Sequence, residues 1–361
     1  MISNSMCSGR AALKLLFHKV GNSAKFFPVA FAWNVYRDAA YVELALSAIF
    51  QPQNVYCFHI DKKAKGGFRR SIEKWAECFP NVLVAPESFD VSSGGANTIA
   101  AYLSCLGLLM KLEWRYLLTL QNYDFPLKTN DQLVAILSWL NGSNDVELRS
   151  VPASHKNDQQ IKTKWPKALK KLYKGSVAVS LSRPFLDQLF AEHSNTVTRL
   201  HDFIREGRFG ADELFWSTLT HNEELGLPGQ YPGRCERDSD QLYKSWISRF
   251  AIWAGYPHLP CRGRWRHGVC LLTYKDLRML YRRPELFANK FLPSEDMTGP
   301  WCLAQRLRGL SSTADGGVSL LDKSYYSHLS SVRFAQWNAD QQQEPNESFE
   351  CVVFQASEAL H

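Results

Sequence analysis

The chain has 361 residues, 45% of them hydrophobic and 13% aromatic, with a formal net charge of +7. That is enough apolar material to bury a large core, as one large or two fused domains. The charge suits an anionic ligand such as a nucleotide phosphate but forms no concentrated stripe of the kind nucleic-acid binders carry, and no apolar run approaches membrane-spanning length.

Val29–Val35 reads as a strand, and Ala39–Phe50 as the helix after it, ended by Pro52. Val55–Ile60 is a buried strand that runs directly into Asp61-Lys62-Lys63. A carboxylate at the C-terminal end of such a strand is where α/β sheets bind ligands. The alternation continues with a helix over 68–78, a strand Val82–Ala85, a helix over 96–112, a strand Tyr116–Leu120 and a helix over 130–140. Such spacing predicts a mostly parallel sheet covered by helices.

Further on, Lys162–Lys174 sets six lysines around Trp165 and Tyr173. It reads as a solvated basic face or, alternatively, as a loop touching an acidic or sugar substrate. A strand Val177–Leu181 and helices over 184–192 and 196–206 follow. Residues 226–267, rich in Gly, Pro and Arg, read as long surface loops, where binding residues tend to sit. Gly268–Thr273 reads as a strand and Lys275–Tyr281 as a helix. The tail after 310 is weakly patterned, with one strand at Cys351–Phe354.

Within Arg208–Leu219, Asp212 and Glu213 follow a Gly-Ala turn and open an apolar helical run. Acids in the first turn are favoured by the helix dipole, and Asp212 could be the N-cap, which would make the pair structural. The alternative is that Glu213 faces a cleft and takes a proton from a substrate. P-loop, dinucleotide-binding and serine-hydrolase motifs are absent. Asp238-Ser-Asp240 is a minimal Asp-x-Asp, but it sits in a polar loop rather than at a strand end. Arg262, Arg264 and Arg266 precede a strand and Lys290 follows a helix; such cations can neutralise a diphosphate leaving group in place of a metal. Nine scattered cysteines argue against a zinc site, and the sequons at Asn141 and Asn346 tilt the reading toward the secretory route.

Four segments resemble, in order and spacing, the core-2/I-branching β-1,6-N-acetylglucosaminyltransferases. They are Ala48-Ile-Phe-Gln-Pro-Gln-Asn-Val-Tyr-Cys-Phe-His-Ile-Asp61, Tyr123-Asp-Phe-Pro-Leu-Lys-Thr-Asn130, Ala211-Asp-Glu213 with Trp216, and Leu286-Phe-Ala-Asn-Lys-Phe291. The resemblance spans residues 25–305; xylosyltransferases, similar at Thr129–Val134, are more distant. It implies a GT-A-type fold with long acceptor-side loops and an inverting, metal-independent transfer from UDP-GlcNAc to a glycan or glycoprotein acceptor. No cofactor is implied, and a homodimer is left open.

By position, the resemblance makes Glu213 the base and Lys290 the diphosphate lysine, with His267 at the family's arginine position and Arg266 one residue before it. Asn34, Val35, Tyr36, Asp61, Lys62, Lys63 and Ser93 fall around the nucleotide, and Glu147, Lys156, Trp253 and Tyr256 near the acceptor. Cys57 with Cys105, Cys7 with Cys78, and Cys261 with Cys270 occupy paired positions; Cys302 is left free or paired with Cys235 or Cys351. The implied organisation is a stem remnant over 1–25, a catalytic domain over 26–310 and a tail over 311–361. The family is Golgi-lumenal with an N-terminal anchor, whereas residues 11–20 are too short and too interrupted by charge to be one. A protein O-xylosyltransferase and a catalytically silent nucleotide- or carbohydrate-binding relative are the alternatives. A glycosidase would need two opposed carboxyls, which neighbouring residues do not provide.

Overall fold

The computed structural model describes residues 26–149, 151, 165–205, 210–235, 246–255, 259–341 and 349. Cys7, Lys156, Tyr256, Asp238, Asp240, Asn346 and the strand expected at Cys351–Phe354 lie outside the described residues.

A five-stranded sheet, ordered β3-β2-β1-β4-β6, is the centre of the molecule. Its strands are β1 (Val29–Val35), β2 (Val55–Ile60), β3 (Val82–Val84), β4 (Tyr116–Gln121) and β6 (Ser180–Ser182). All pairings are parallel except β4 with β6. Residues of β1 alternate between two cores. Phe31 and Trp33 pack with α1 (Ala39–Ile49), α2 (Gly66–Cys78) and α4 (Asn130–Leu140), while Ala30 and Ala32 pack with α3 (Thr98–Leu109), α5 (Arg183–Glu192) and α6 (Ser194–Arg205). Burial on both faces is why these strands read as continuous apolar runs rather than alternating ones. The α/β architecture of the GT-A-type expectation is present. A disulfide ties Cys57 on β2 to Cys105 on α3 with Cα atoms 5.6 Å apart.

A second, three-stranded sheet joins β5 (Phe125–Pro126), β10 (Phe287–Ala288) and β7 (Arg249–Phe250). It lays the Tyr123–Asn130 and Leu286–Phe291 segments side by side. The expected strand Gly268–Thr273 is shorter, Val269–Cys270 (β9), and pairs with Trp265–Arg266 (β8) in a hairpin; the helix expected after it is a 3₁₀ turn Tyr274–Asp276 followed by Leu277–Leu280 (α8). Cys261 is disulfide-bonded to Cys270, Cys78 and Cys235 each take part in a disulfide of their own, and Cys302 is free.

Thr298–Ser311 (α9) buries Leu303, Ala304 and Leu307. The tail after it departs from its weak pattern, with helices at Lys323–Ser327 (α10) and Ser330–Gln341 (α11). The Thr129–Gln132 stretch caps α4: Gln132 N donates to Thr129 Oγ1 and Thr129 N to Gln132 Oε1, both at 3.1 Å. The same two side chains donate to Gly316 O at 2.7 Å and Gly317 O at 2.8 Å, fastening the tail to the fold. Among the described residues no helix is long and apolar enough to cross a membrane.

Candidate active site

The strand order reverses between β1 and β4, and the crevice outside the C-terminal strand ends is where such sheets bind ligands. Asn122, just past β4, accepts from Tyr36 N at 2.8 Å and Arg37 N at 3.2 Å, fixing the turn that leaves β1. Asn34 is buried; its Nδ2 donates to Thr98 O at 3.4 Å and its Oδ1 has no partner among the described residues. The Val35 side chain lies in the core, so only the strand end is available to a ligand there. Asp61 is buried, accepting from Lys63 N at 2.7 Å and Val91 N at 3.1 Å, which ties β2 to the loop carrying Ser93. Lys63 pairs with Asp90, and Lys62, Lys63 and Ser93 are exposed. Residues expected around a nucleotide thus gather on one rim.

The opposite part of the crevice is cationic. Asp124, fully buried, accepts from Gln121 N at 2.7 Å and Asn289 Nδ2 at 2.8 Å, and lies 3.7 Å from Arg249 NH1. Arg249 donates to Gln121 Oε1 at 2.7 Å and Ser176 Oγ at 3.3 Å, while its buried Nε has no partner among the described residues. Burial, then the Arg249 and Arg266 charges, push the Lys290 ammonium below the usual lysine range; Asp124 pulls the other way. Two guanidinium charges therefore act on Lys290, and one of them, Arg249, also pairs with the buried Asp124. Arg266 sits in β8, whereas His267 is exposed in the hairpin turn with φ 51°. The lysine thus feels Arg266, one residue before the aligned position. Arg262 and Arg264 are engaged elsewhere, by Lys275 O and Glu295.

The acidic pair occupies a 3₁₀ turn, Ala211–Leu214, leading into α7 (Phe215–His221). Asp212 is not the N-cap; Gly210 holds that position. Asp212 packs against Gly95, where a Cβ would stand 1.9 Å from Asp212 Oδ1, so only glycine allows the approach. Burial first, and then the Glu213 charge, raise the Asp212 carboxyl to about 6, with the Thr98 hydroxyl pulling back. Glu213 is half-buried, and its Oε2 lies 2.9 Å from Lys174 Nζ. Lys174 is 18% exposed, so this end of the lysine-rich stretch is not the solvated face its composition suggests. Gly175 N donates to Glu213 O at 2.9 Å, and the next residue, Ser176, meets Arg249. Two residues of backbone thus connect the Glu213 ion pair to the cationic cluster.

Glu147 is buried and paired with Arg149 at 2.6 Å, and the Arg149 guanidinium lies 5.8 Å over the Trp253 ring. Two of the four expected acceptor residues therefore meet through an arginine.

The Core-2/I-Branching enzyme family profile matches residues 29–281. The chain belongs to that family. It is 32% identical over 289 residues to a human N-acetyllactosaminide β-1,6-N-acetylglucosaminyl-transferase, covering 73% of this chain and 68% of that protein. A human β-1,3-galactosyl-O-glycosyl-glycoprotein β-1,6-N-acetylglucosaminyltransferase is 29% identical over 307 residues, covering 78% and 70%.

Three site residues of this core-2/I-branching enzyme escape a sequence reading. Asp124 lies inside a quoted motif and Lys174 inside a noted basic stretch, so both carried a signal. Arg249 carries none: its partners Asp124, Gln121 and Ser176 are all far away in the sequence. Among the described residues no cluster of His, Cys, Asp and Glu could hold a metal ion.

Proposed function

We propose that this protein is an inverting β-1,6-N-acetylglucosaminyltransferase of the Golgi lumen, moving GlcNAc from UDP-GlcNAc to the 6-hydroxyl of Gal or GalNAc on an O-glycan without a divalent metal. Glu213 takes the acceptor hydroxyl proton as that oxygen attacks the anomeric carbon from the face opposite the diphosphate. The bond from the anomeric carbon to the diphosphate oxygen breaks, and its electron pair leaves with UDP. Lys290, Arg266 and Arg249 offset the charge that develops there, the work a metal does in other transferases. Asn34, Tyr36, Asp61, Lys62, Lys63 and Ser93 form the nucleotide rim. Glu147 and Trp253, held together by Arg149, receive the acceptor with Lys156 and Tyr256.

The observation that supports this reading is a half-buried carboxylate, Glu213, joined through Gly175 and Ser176 to Arg249, whose charge acts with that of Arg266 on Lys290. The disulfides Cys57–Cys105 and Cys261–Cys270 support an oxidising compartment, and Asn141 is exposed at a helix end. The names of the two human relatives support the donor and the linkage.

The test is transfer from UDP-GlcNAc and, in parallel, UDP-xylose to a Galβ1-3GalNAc acceptor and a serine peptide, in EDTA. GlcNAc transfer to the disaccharide is expected. Xylose transfer to the peptide would replace this reading with a xylosyltransferase, and UDP binding without any transfer with a silent binding protein.

A further inference from the structure

The sequon Asn141-Gly142-Ser143 stands where α4 ends, and the fold divides it between outside and inside. Asn141 caps the helix in the left-handed region at φ 49° and ψ 45°, a conformation asparagine tolerates at a helix end. It is exposed, and its side-chain amide makes no hydrogen bond among the described residues. Ser138, one turn earlier, is exposed as well, so this end of the helix lies on the outer surface.

Two residues on, the situation is the reverse. Ser143 is fully buried, and its Oγ donates at 3.2 Å to the carbonyl of Ser331, in the first turn of α11. The Tyr116 hydroxyl brackets the turn: it accepts from Gly142 N at 2.8 Å and donates to Ser143 O at 3.1 Å. Gly142 O packs so closely on Gly229 that a Cβ there would stand 2.0 Å away. The tail that closes over Ser143 is itself core material. Leu329 and Val332 are buried in the main apolar cluster, and the Tyr326 ring centroid lies 5.9 Å from that of Trp139 on α4.

A sequon is read at both ends: its asparagine is the acceptor, and its hydroxyl is part of what the transferring enzyme recognises. In the finished fold only the asparagine is accessible. We infer that Asn141 is an N-glycan attachment site, filled before the C-terminal helices dock and closed to further transfer afterwards. In the transfer, Asn141 Nδ2 bonds to C1 of an oligosaccharide carried on a lipid diphosphate. The bond from C1 to the diphosphate oxygen breaks, its electron pair leaves with the lipid diphosphate, and the amide nitrogen loses one proton. The glycan then projects from the exposed helix end and leaves the hydrogen bonds of Gly142 and Ser143 intact. The inference rests on the proposed lumenal reading and goes beyond it in naming the residue and the order of events.

The full chain is made in cultured animal cells and its glycans are removed by peptide-N-glycosidase in heavy-oxygen water, which marks every glycosylated asparagine as labelled aspartate. Asn141 is expected to be marked. The mobility shift on glycan removal should shrink by one glycan in Asn141→Gln and Ser143→Ala and return in Ser143→Thr. For the order of events, chains from cells blocked in lipid-linked oligosaccharide synthesis are given to purified oligosaccharyltransferase, either folded or after reduction in urea. The unfolded chain should gain at least tenfold more glycan at Asn141 than the folded one. Equal transfer, or an unmarked Asn141 in a chain whose Cys57 and Cys105 are disulfide-bonded, would overturn the inference alone. If the blocked chain shows no thermal transition, a short radioactive pulse in untreated cells reads the order instead. The glycan should already be present on chains whose cysteines are still reduced, and its arrival only after oxidation would overturn the inference. A chain with reduced cysteines and neither sequon marked never entered an oxidising lumen, which defeats the compartment and the inference together.

Discussion

Lys174 Nζ and Glu213 Oε2 stand 2.9 Å apart, both more than two-thirds buried. The lysine fixes where the carboxylate points, and the backbone bond from Gly175 N to Glu213 O fixes the main chain under it. Glycine is required at 175, where a Cβ would lie 1.8 Å from Glu147 O. The ion pair, the backbone of Glu147 and the Ala211–Leu214 turn are therefore one packed unit.

Glu213→Gln keeps the shape and removes the proposed base. Transfer should fall by roughly 10²- to 10⁴-fold with UDP affinity unchanged. Turnover close to wild type would remove Glu213 from the mechanism. In Lys174→Met, kcat should fall by less than in Glu213→Gln with donor KM unaltered, and Lys174→Arg should recover part of it. A rise in donor KM with kcat intact would make Lys174 a binding residue instead.

Lys290→Ala should weaken UDP by about 10- to 100-fold, the worth of a hydrogen bond to a charged group. Arg249→Met should do the same and also lower the melting temperature, since the buried Asp124 then loses the guanidinium that offsets its burial. Arg249→Met with Asp124→Asn should regain stability but not UDP affinity. Full recovery of both would confine Arg249 to a structural role.

Transfer in EDTA should equal transfer with added manganese. A metal requirement would return Asp238 and Asp240 to consideration as ligands.

His59 Nε2 accepts from Phe89 N at 3.0 Å, which needs a neutral ring, and burial lowers its pKa from the ordinary 6.5 to about 4. The unfolded chain then binds more protons between those values, so stability is lost as pH falls from about 6.5 toward 4, by up to about 3 kcal/mol. His221, lowered to about 4 mainly by burial, adds to the same window. Thermal unfolding from pH 7 to 4 should show a shallower loss in His59→Gln, which keeps an acceptor for Phe89. Identical slopes would contradict the assignment.

The strands and helices of the first 140 residues were legible because their signals are local. Val29–Val35, Val55–Ile60 and helix 130–140 have in the structure the limits that apolar runs and turn residues give them. The later part was harder. Residues 180–182 pair antiparallel, the weakly patterned stretch after 310 holds the helices Lys323–Ser327 and Ser330–Gln341, and the tail is held by hydrogen bonds from Thr129 and Gln132. Those depend on partners rather than on neighbours in the chain.

The amino-acid sequence by itself determined the alternating α/β plan and the family, since periodicity and motif spacing are written along the chain. Tertiary structure alone decided that Asp212 turns to Gly95 while Glu213 meets Lys174, that Arg266 rather than His267 acts on Lys290, and that Arg249 joins them. Burial and Coulomb attraction act between groups close in space, and each of these pairings brings together residues that the sequence keeps far apart.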